Sequence, residues 1–240
     1  HWRRAGQQGT PLVAAAQRPR LPVLFLSCPE ERQADPGRAP LMARLLASGA
    51  TPEAVLFITI AEQDDRLQLI GSGTHGERLS ALAEGLANRG VCALVRRCAS
   101  SPVGDIAAEL FGNFTGEFIE LRLAANCEEP GYSGIGQALS DWRERGTLLV
   151  CLDRVDGGQR LKSLYDSYWL DLMSSWIEQH QWRQVVTGLN ADATCDRPAI
   201  GTFCLLQAAL GSAGMRLPER LLGYELDDAG RALSGFCWMT

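Results

Sequence analysis

The sequence predicts an α/β protein with a doubly wound, mostly parallel sheet of truncated Rossmann-like form. Short apolar runs that are typical of buried strands alternate with amphipathic helical patterns along the 240 residues. One strand-to-helix junction carries the pattern G-x-G-x-x-G at residues 71–76, and a second apolar run follows the helix. A strand, a glycine turn, a helix and another strand form the frame from which a dinucleotide-binding fold begins.

The first 65 residues are expected to precede that domain. Residues 1–20 are polar and interrupted by Pro and Gly, as in a linker or a surface arm. Residues 21–27 and 54–60 are apolar enough for strands, and a helix is predicted near residues 41–48. We therefore expect residues 1–65 to be a linker or a strand-helix-strand preface, and residues 66–240 to form the Rossmann-like structural domain.

The stretch 66–97 contains the predicted nucleotide-binding frame. Residues 67–70 form a strand, and residues 77–88 a helix with leucines at helical spacing, which Arg89 and Gly90 end. Residues 91–95 are predicted to be a second buried strand.

The glycines of this turn are candidates for cofactor binding, together with two arginines. In the fingerprint, Gly71 would permit the sharp turn, Gly73 would let backbone amides approach a pyrophosphate, and Gly76 would let helix and strand approach closely. Arg96 and Arg97 lie about 20 residues after the glycine turn. An acidic residue at this place would favour NAD, whereas arginine suits the 2′-phosphate of NADP. In the alternative interpretation the glycines only shape the turn, and the arginines end a solvated strand.

The remaining elements continue the alternation of strands and helices. Charged residues alternate with apolar ones at 117–123, which predicts a strand near a sheet edge, and residues 126–136 read as a loop. The other predicted strands are 147–152, 182–189 and 221–226, and the other predicted helices are 106–111, 161–177 and 200–210. The helix at 161–177 carries an apolar and aromatic stripe, predicted to be core or an interdomain seam; Trp169→Ala should cost about 3–5 kcal/mol if that side chain is buried.

Composition excludes several classes of protein. The net charge is -5 and no dense basic run occurs, so a nucleic-acid partner is not expected. No apolar run approaches the roughly 18 residues of a membrane span, and the first ten residues lack a signal-peptide core. The eight cysteines form no C-x-x-C pair, which favours buried free thiols in a cytoplasmic protein.

No catalytic constellation is evident, so no catalytic residue and no metal ligand is predicted. The sequence has no phosphate-binding G-x-x-x-x-G-K-[ST], no G-x-S-x-G and no H-E-x-x-H, and its three histidines lack metal-ligand spacing. Short-chain reductases need a tyrosine with a lysine one turn later, and none of the four tyrosines has one. A reductase fold without this acid-base pair should be catalytically silent.

Four segments, residues 67–95, 147–153, 161–188 and 200–228, resemble the structural subdomain of ketoreductases from type I modular polyketide synthases. In that family a truncated short-chain-reductase fold stabilises the catalytic half and has lost its own cofactor site. The resemblance implies a non-catalytic scaffold with no cofactor of its own. Its partner would be an NADPH-dependent catalytic domain beyond Thr240, or another synthase domain.

Two other classes stay open. The glycines and arginines of the turn would suit an independent NADP-binding oxidoreductase or sensor, with NADPH as cofactor. Residues 21–31, 54–60 and 91–97 are also similar to the stress-protein-like regulatory domains of cation-chloride cotransporters; a longer reading frame with membrane spans before His1 would favour this class.

Overall fold

The protein is described from a computed structural model, which covers residues 19–29, 51–61, 65–72, 76–99, 103–112, 114–124, 131–155, 167–179, 197–226 and 232–239. The strands are β1 (Val23–Pro29), β2 (Ala54–Ala61), β3 (Gln68–Ser72), β4 (Leu94–Cys98), β5 (Glu117–Ala124), β6 (Thr147–Val155), β7 (Arg220–Leu226) and β8 (Ala232–Trp238). The helices are α1 (Gly76–Ala87), α2 (Gly104–Phe111), α3 (Gly131–Leu139), a 3-10 helix (Ser140–Arg143), α4 (Ser167–Gln179) and α5 (Arg197–Ser212).

The eight described strands belong to one mixed sheet with the order β4-β3-β5-β2-β6-β1-β8-β7. The four inner strands β5, β2, β6 and β1 are parallel to one another. At one end of this parallel core β3 is antiparallel to β5, and at the other β8 is antiparallel to β1. The nearly continuous apolar runs of β2 and β6 are typical of strands that are covered on both faces.

Two hydrophobic clusters confirm that the sheet is doubly wound. On the first face, residues such as Val23 and Leu56 pack with buried side chains of α1, α3, α4 and α5. On the second face, residues such as Leu24 and Phe57 pack with α2, where Phe111 meets the Phe57 ring edge-on at 5.8 Å between centroids. The chain therefore forms an α/β fold with helices on both sides of the sheet.

Two strands of the predicted preface lie in the middle of this sheet. β1 pairs with β6 and β8, and β2 lies between β5 and β6. Residues before and after position 65 thus contribute to one continuous sheet and to both hydrophobic clusters.

The predicted strand-helix-strand unit at residues 66–97 is present, with one correction. β3 and α1 occupy nearly the predicted ranges, and Gly90, at φ +79°, ends the helix with its N–H donating to the Ala87 carbonyl (3.0 Å). The second strand begins at Leu94 rather than Val91, and it is mostly exposed rather than buried. The reason is its position: among the described strands β4 pairs with β3 alone and forms the end of the sheet.

Three other predictions differ from the structure. β5 is an inner strand rather than one near an edge, since it pairs with both β3 and β2; its Glu120 and Arg122 are hydrogen-bonded there by side chains. Part of the predicted loop 126–136 is the start of α3, and β8 was not predicted. The predicted strand 182–189 lies outside the described residues.

Part of the apolar stripe predicted on the helix at 161–177 is described, and two of its side chains lie in the core. That helix is α4, and its Met173 and Trp176 are buried in the first-face cluster, with Trp176 meeting the ring of Phe203 edge-on at 5.8 Å. The side chain of Trp169 lies outside the described part of the chain.

Helices α3 and α5 cross in very close contact, which two glycines make possible. A Cβ at position 136 would fall well inside van der Waals contact with the Ala208 carbonyl oxygen and 2.7 Å from the Ser212 nitrogen. A Cβ at position 211 would likewise lie 2.8 Å from the Ser133 carbonyl carbon. Side chains at these two positions would force the helices apart.

A buried arginine joins the 3-10 helix to the segment before β1 and to the end of α5. The Arg143 side chain is fully buried; its Nε donates to the Leu21 carbonyl (2.6 Å) and its Nη1 to the Ser212 carbonyl at the end of α5 (3.2 Å). Burial, followed by the nearby charges of Arg20 and Arg216, lowers the pKa of Arg143 to about 10. The side chain therefore stays charged at neutral pH and acts as an internal link.

The five cysteines whose side chains are described are free thiols, and three of them are buried as the sequence predicts. Cys151, Cys204 and Cys237 are buried, Cys98 is half-buried and Cys92 is exposed. Burial raises the pKa of the Cys151 thiol, which makes it a poor nucleophile. None of the helices in the described part of the chain combines the length and the apolar content needed to cross a membrane.

Candidate functional site

The two described glycines of the predicted turn, Gly71 and Gly76, flank it at the amino edge of the parallel core. Because β3 is antiparallel to β5, its carboxyl end lies beside the start of β5, and Gly71 is opposite Ile119. Arg78 in the first turn of α1 also reaches this edge: its Nη2 lies 2.8 Å from Glu53 Oε2, just before β2. Ligands of open α/β sheets bind at the carboxyl ends of the strands, and for β1, β2, β5 and β6 those ends lie at the opposite edge.

Three of the predicted site residues come together at this turn. A Cβ on Gly71 would lie 2.9 Å from Cδ2 of the buried Leu79, so the absence of a side chain allows α1 to pack closely on β3. A Cβ on Gly76 would lie 2.7 Å from Arg97 Nη2, so the Arg97 guanidinium rests against the first turn of α1. Gly73 lies outside the described residues.

Arg96 is directed to the other face of the sheet. Adjacent residues of a strand point to opposite faces, and Arg96 Nη1 donates to Oε1 of the buried Gln68 at 3.0 Å. The structure thus brings Arg97, but not Arg96, to the glycine turn. A phosphate at the start of α1 would meet one guanidinium there rather than two.

The carboxyl edge of the parallel core carries a second set of polar residues, which the sequence analysis did not single out. On the first face, Asp153 near the end of β6 is only 4% exposed, and Thr202 Oγ1 of α5 donates to its Oδ2 at 2.7 Å. The buried Ser27 of β1 lies beside Asp153 in the ladder. These three residues come from three different elements.

A similar link lies on the second face, but halfway along the strands, where Glu120 is opposite Phe57 of β2. Glu120 of β5 is 3% exposed; its Oε1 accepts a hydrogen bond from Thr59 Oγ1 of β2 at 2.7 Å. Arg122 on the same strand also donates to it, from Nε at 3.2 Å. Glu120 is therefore a compensated buried charge that ties β5 to β2.

The hydrogen bonds of Asp153 and Glu120 join neighbouring elements of the fold, which indicates a structural role rather than a catalytic one. Each of the two buried carboxylates, Asp153 and Glu120, already accepts a hydrogen bond from a side chain on another element. Within the described ranges, no group of three or more His, Cys, Asp or Glu side chains is arranged to hold a metal ion. The polar residues in the otherwise apolar runs of β1, β2 and β6 were the only sequence signal for these hydrogen-bonded links.

No protein-family model and no curated protein matches the chain. Among solved structures, the chain is similar to the uncharacterized protein JW3007 from Escherichia coli K12, with a TM-score of 0.63 at 14% sequence identity. The likeness covers 91% of this chain and 99% of that one. At such low identity it establishes the fold alone: an α/β protein with a mostly parallel mixed sheet and a Rossmann-like architecture.

Proposed function

We propose that this chain is a non-catalytic α/β scaffold domain that stabilises a neighbouring domain. The observation that carries the proposal is the hydrogen bonding of the two buried carboxylates of the parallel core. Glu120 and Asp153 are hydrogen-bonded to hydroxyl groups of other elements, at 2.7 Å in both cases. A catalytic carboxylate must be able to reach a reacting group, whereas these two hold strands and a helix together.

In the specific form that the sequence resemblance implies, the neighbour is the NADPH-dependent catalytic domain of a ketoreductase in a type I polyketide synthase. The scaffold would then contribute stability and position, and the neighbour would contribute the cofactor site and the acid-base tyrosine. No residue of the present chain takes part in the reaction in this proposal.

The test is to produce the domain encoded after Thr240 both alone and fused to this chain, and to compare its melting temperature and its reduction of a carbonyl substrate with NADPH. We expect the fused domain to melt at a higher temperature and to lose activity more slowly. Equal stability in both contexts would contradict a scaffold function. A following sequence without a reductase domain would contradict the polyketide synthase form of the proposal.

A second candidate, an NADP(H)-binding site at the turn between β3 and α1, is favoured by the position of Arg97. Its guanidinium lies against Gly76 at the positive end of the α1 dipole, which is unfavourable for a cation unless an anion lies nearby. Glu77 in the first turn already supplies one negative charge, and a bound phosphate would supply another.

Calorimetric titration with NADPH distinguishes the two candidates. If the turn binds the coenzyme, Arg97→Ala should abolish micromolar binding. Arg96→Ala is the matched control, since Arg96 is the adjacent arginine on the opposite face of the sheet. Absence of binding to the native chain, or equal losses in both variants, would exclude Arg97 as a phosphate ligand.

A further inference from the structure

β4 leaves one side of its backbone open in the described part of the sheet. The Leu94 N–H donates to the Leu67 carbonyl at 2.8 Å, so it points toward β3. Successive N–H groups of a strand point to alternate sides, and those of Val95 and Arg97 therefore point away from β3. Unpaired groups of this kind can pair with a strand from another segment.

The side chains of this strand are unusually apolar for an open edge. Leu94 is 49% exposed and Val95 is 42% exposed; with Leu217 they are the exposed large hydrophobic residues of the described chain. Two of these three side chains are thus neighbours on the terminal strand. Because consecutive side chains of a strand point to opposite faces, each face of this edge presents one exposed apolar side chain to a pairing strand.

The side chains of β4 indicate which kind of strand would pair with this edge. Leu94 and Arg96 point to the second face, and Val95 and Arg97 to the first, so each face presents an apolar residue followed by an arginine. A complementary strand would place two consecutive apolar residues beside Leu94 and Val95, and two consecutive acidic residues beside the arginines. A second copy of β4 paired symmetrically about Arg96 would instead oppose like charges.

We propose that the open edge of β4 is the docking surface for an extended partner segment in which two consecutive apolar residues adjoin two consecutive acidic residues. This inference rests on the scaffold function proposed above and names the surface through which it acts. Main-chain hydrogen bonds to Val95 and Arg97 supply affinity, and charge-assisted bonds from the two arginines select the acidic segment.

The probe is a fluorescent peptide of sequence Glu-Glu-Val-Val-Glu-Glu, whose symmetric pattern matches β4 in either strand direction. Its control is Lys-Lys-Val-Val-Lys-Lys. Val95→Pro removes an outward N–H but leaves the bond from Leu94 to Leu67, and proline is tolerated at such edge positions. Val95→Thr is the matched variant that keeps the N–H.

By fluorescence anisotropy, we expect the acidic peptide to bind the native chain and Val95→Thr at least tenfold more tightly than Val95→Pro. It should also bind the native chain at least tenfold more tightly than the lysine peptide does. No binding of the acidic peptide to the native chain, equal binding to Val95→Pro, or equal binding of both peptides would overturn the inference.

Two further measurements keep the result interpretable. The circular dichroism melting curve of Val95→Pro shows whether this variant folds. If it does not, a double variant with Arg96→Glu and Arg97→Glu replaces it, and this variant should bind the lysine peptide more tightly than the acidic peptide. If the double variant still binds the acidic peptide more tightly, β4 is not the docking surface. In the fusion with the neighbouring domain, stabilisation that persists with Val95→Pro overturns β4 as the surface but leaves the scaffold function intact. If the native chain gives no stabilisation, the scaffold function fails and the peptide titration alone decides the edge.

Discussion

Replacing Gly136 with alanine should destabilise the protein, although alanine is the better helix-forming residue. The new Cβ would lie 2.7 Å from the Ser212 nitrogen and closer still to the Ala208 carbonyl oxygen, both of which are main-chain atoms of α5. Ordinary contact between such atoms needs about 3.5 Å, so α3 and α5 would have to separate by about 1 Å. A backbone contact cannot be relieved by rotating a side chain.

The size of the effect follows from two opposing contributions. Alanine gains up to about 1 kcal/mol in helix propensity over glycine, whereas overpacking a close contact costs about 1–3 kcal/mol and occasionally more. Because the opposing atoms here are backbone, we expect the upper part of that range and a net loss of about 2 kcal/mol. For a chain of this length this corresponds to a fall of roughly 4–8 °C in the melting temperature.

Gly85→Ala in α1 is the matched control. A Cβ at that position would meet the Trp142 ring at 3.6 Å, which is an ordinary contact, so only the propensity gain remains. Thermal unfolding followed by circular dichroism should show Gly85→Ala slightly more stable than the native chain, by about 0.5–1 kcal/mol. If Gly136→Ala and Gly85→Ala shift the melting temperature in the same direction, the close crossing of α3 and α5 is not as described.

Two further predictions concern buried polar groups. Arg143→Met should lower the free energy of unfolding in urea by about 2–4 kcal/mol, because the two main-chain carbonyls that accept from the guanidinium lose their partner. Arg145→Met, at an exposed arginine, is the control and should change the free energy of unfolding by less than about 1 kcal/mol. Equal effects of the two substitutions would argue against the buried link. Under native conditions iodoacetamide should modify Cys92 well before Cys151, whose thiol is buried and has a raised pKa. Peptide mapping by mass spectrometry measures the order of modification. If Cys151 is modified first, the placement of β6 in the core is wrong.

The parts of the fold that could be predicted from sequence are those in which local pattern and tertiary environment agree. β2 and β6 are apolar at nearly every position because both faces of each strand are covered, and α1 has leucines at helical spacing because one face packs on the sheet. In these elements the sequence period alone carries enough information.

The errors occur where the environment of a strand cannot be read from its own residues. β5 has an edge-like alternation of charges, yet Glu120 accepts hydrogen bonds from a hydroxyl and a guanidinium within the sheet. The apolar run that ends at Val95 reads as buried, yet β4 terminates the described sheet. Strand order depends on contacts between distant segments, which a local pattern does not encode.

The candidate site shows the same limit. The sequence identifies Gly71, Gly76 and Arg97 as members of one turn, and the structure brings these three together. It could not separate Arg96 from them until the strand boundary was known, because a shift in the strand changes which side chain faces the helix. The hydroxyl partners of Glu120 and Asp153 were also invisible, since each is at least 49 positions away in the chain.

The reversal of β3 and β4 relative to the inner strands separates two regions of the molecule. Ile119 of β5 is opposite Gly71, and β5 continues for five more residues, or about 16 Å, toward the carboxyl edge; Asp153 lies at that edge on β6, three strands away from β3. A compound bound at one end would not touch a group bound at the other. The two ends could therefore be occupied independently, and any influence of one on the other would have to pass through the strands themselves.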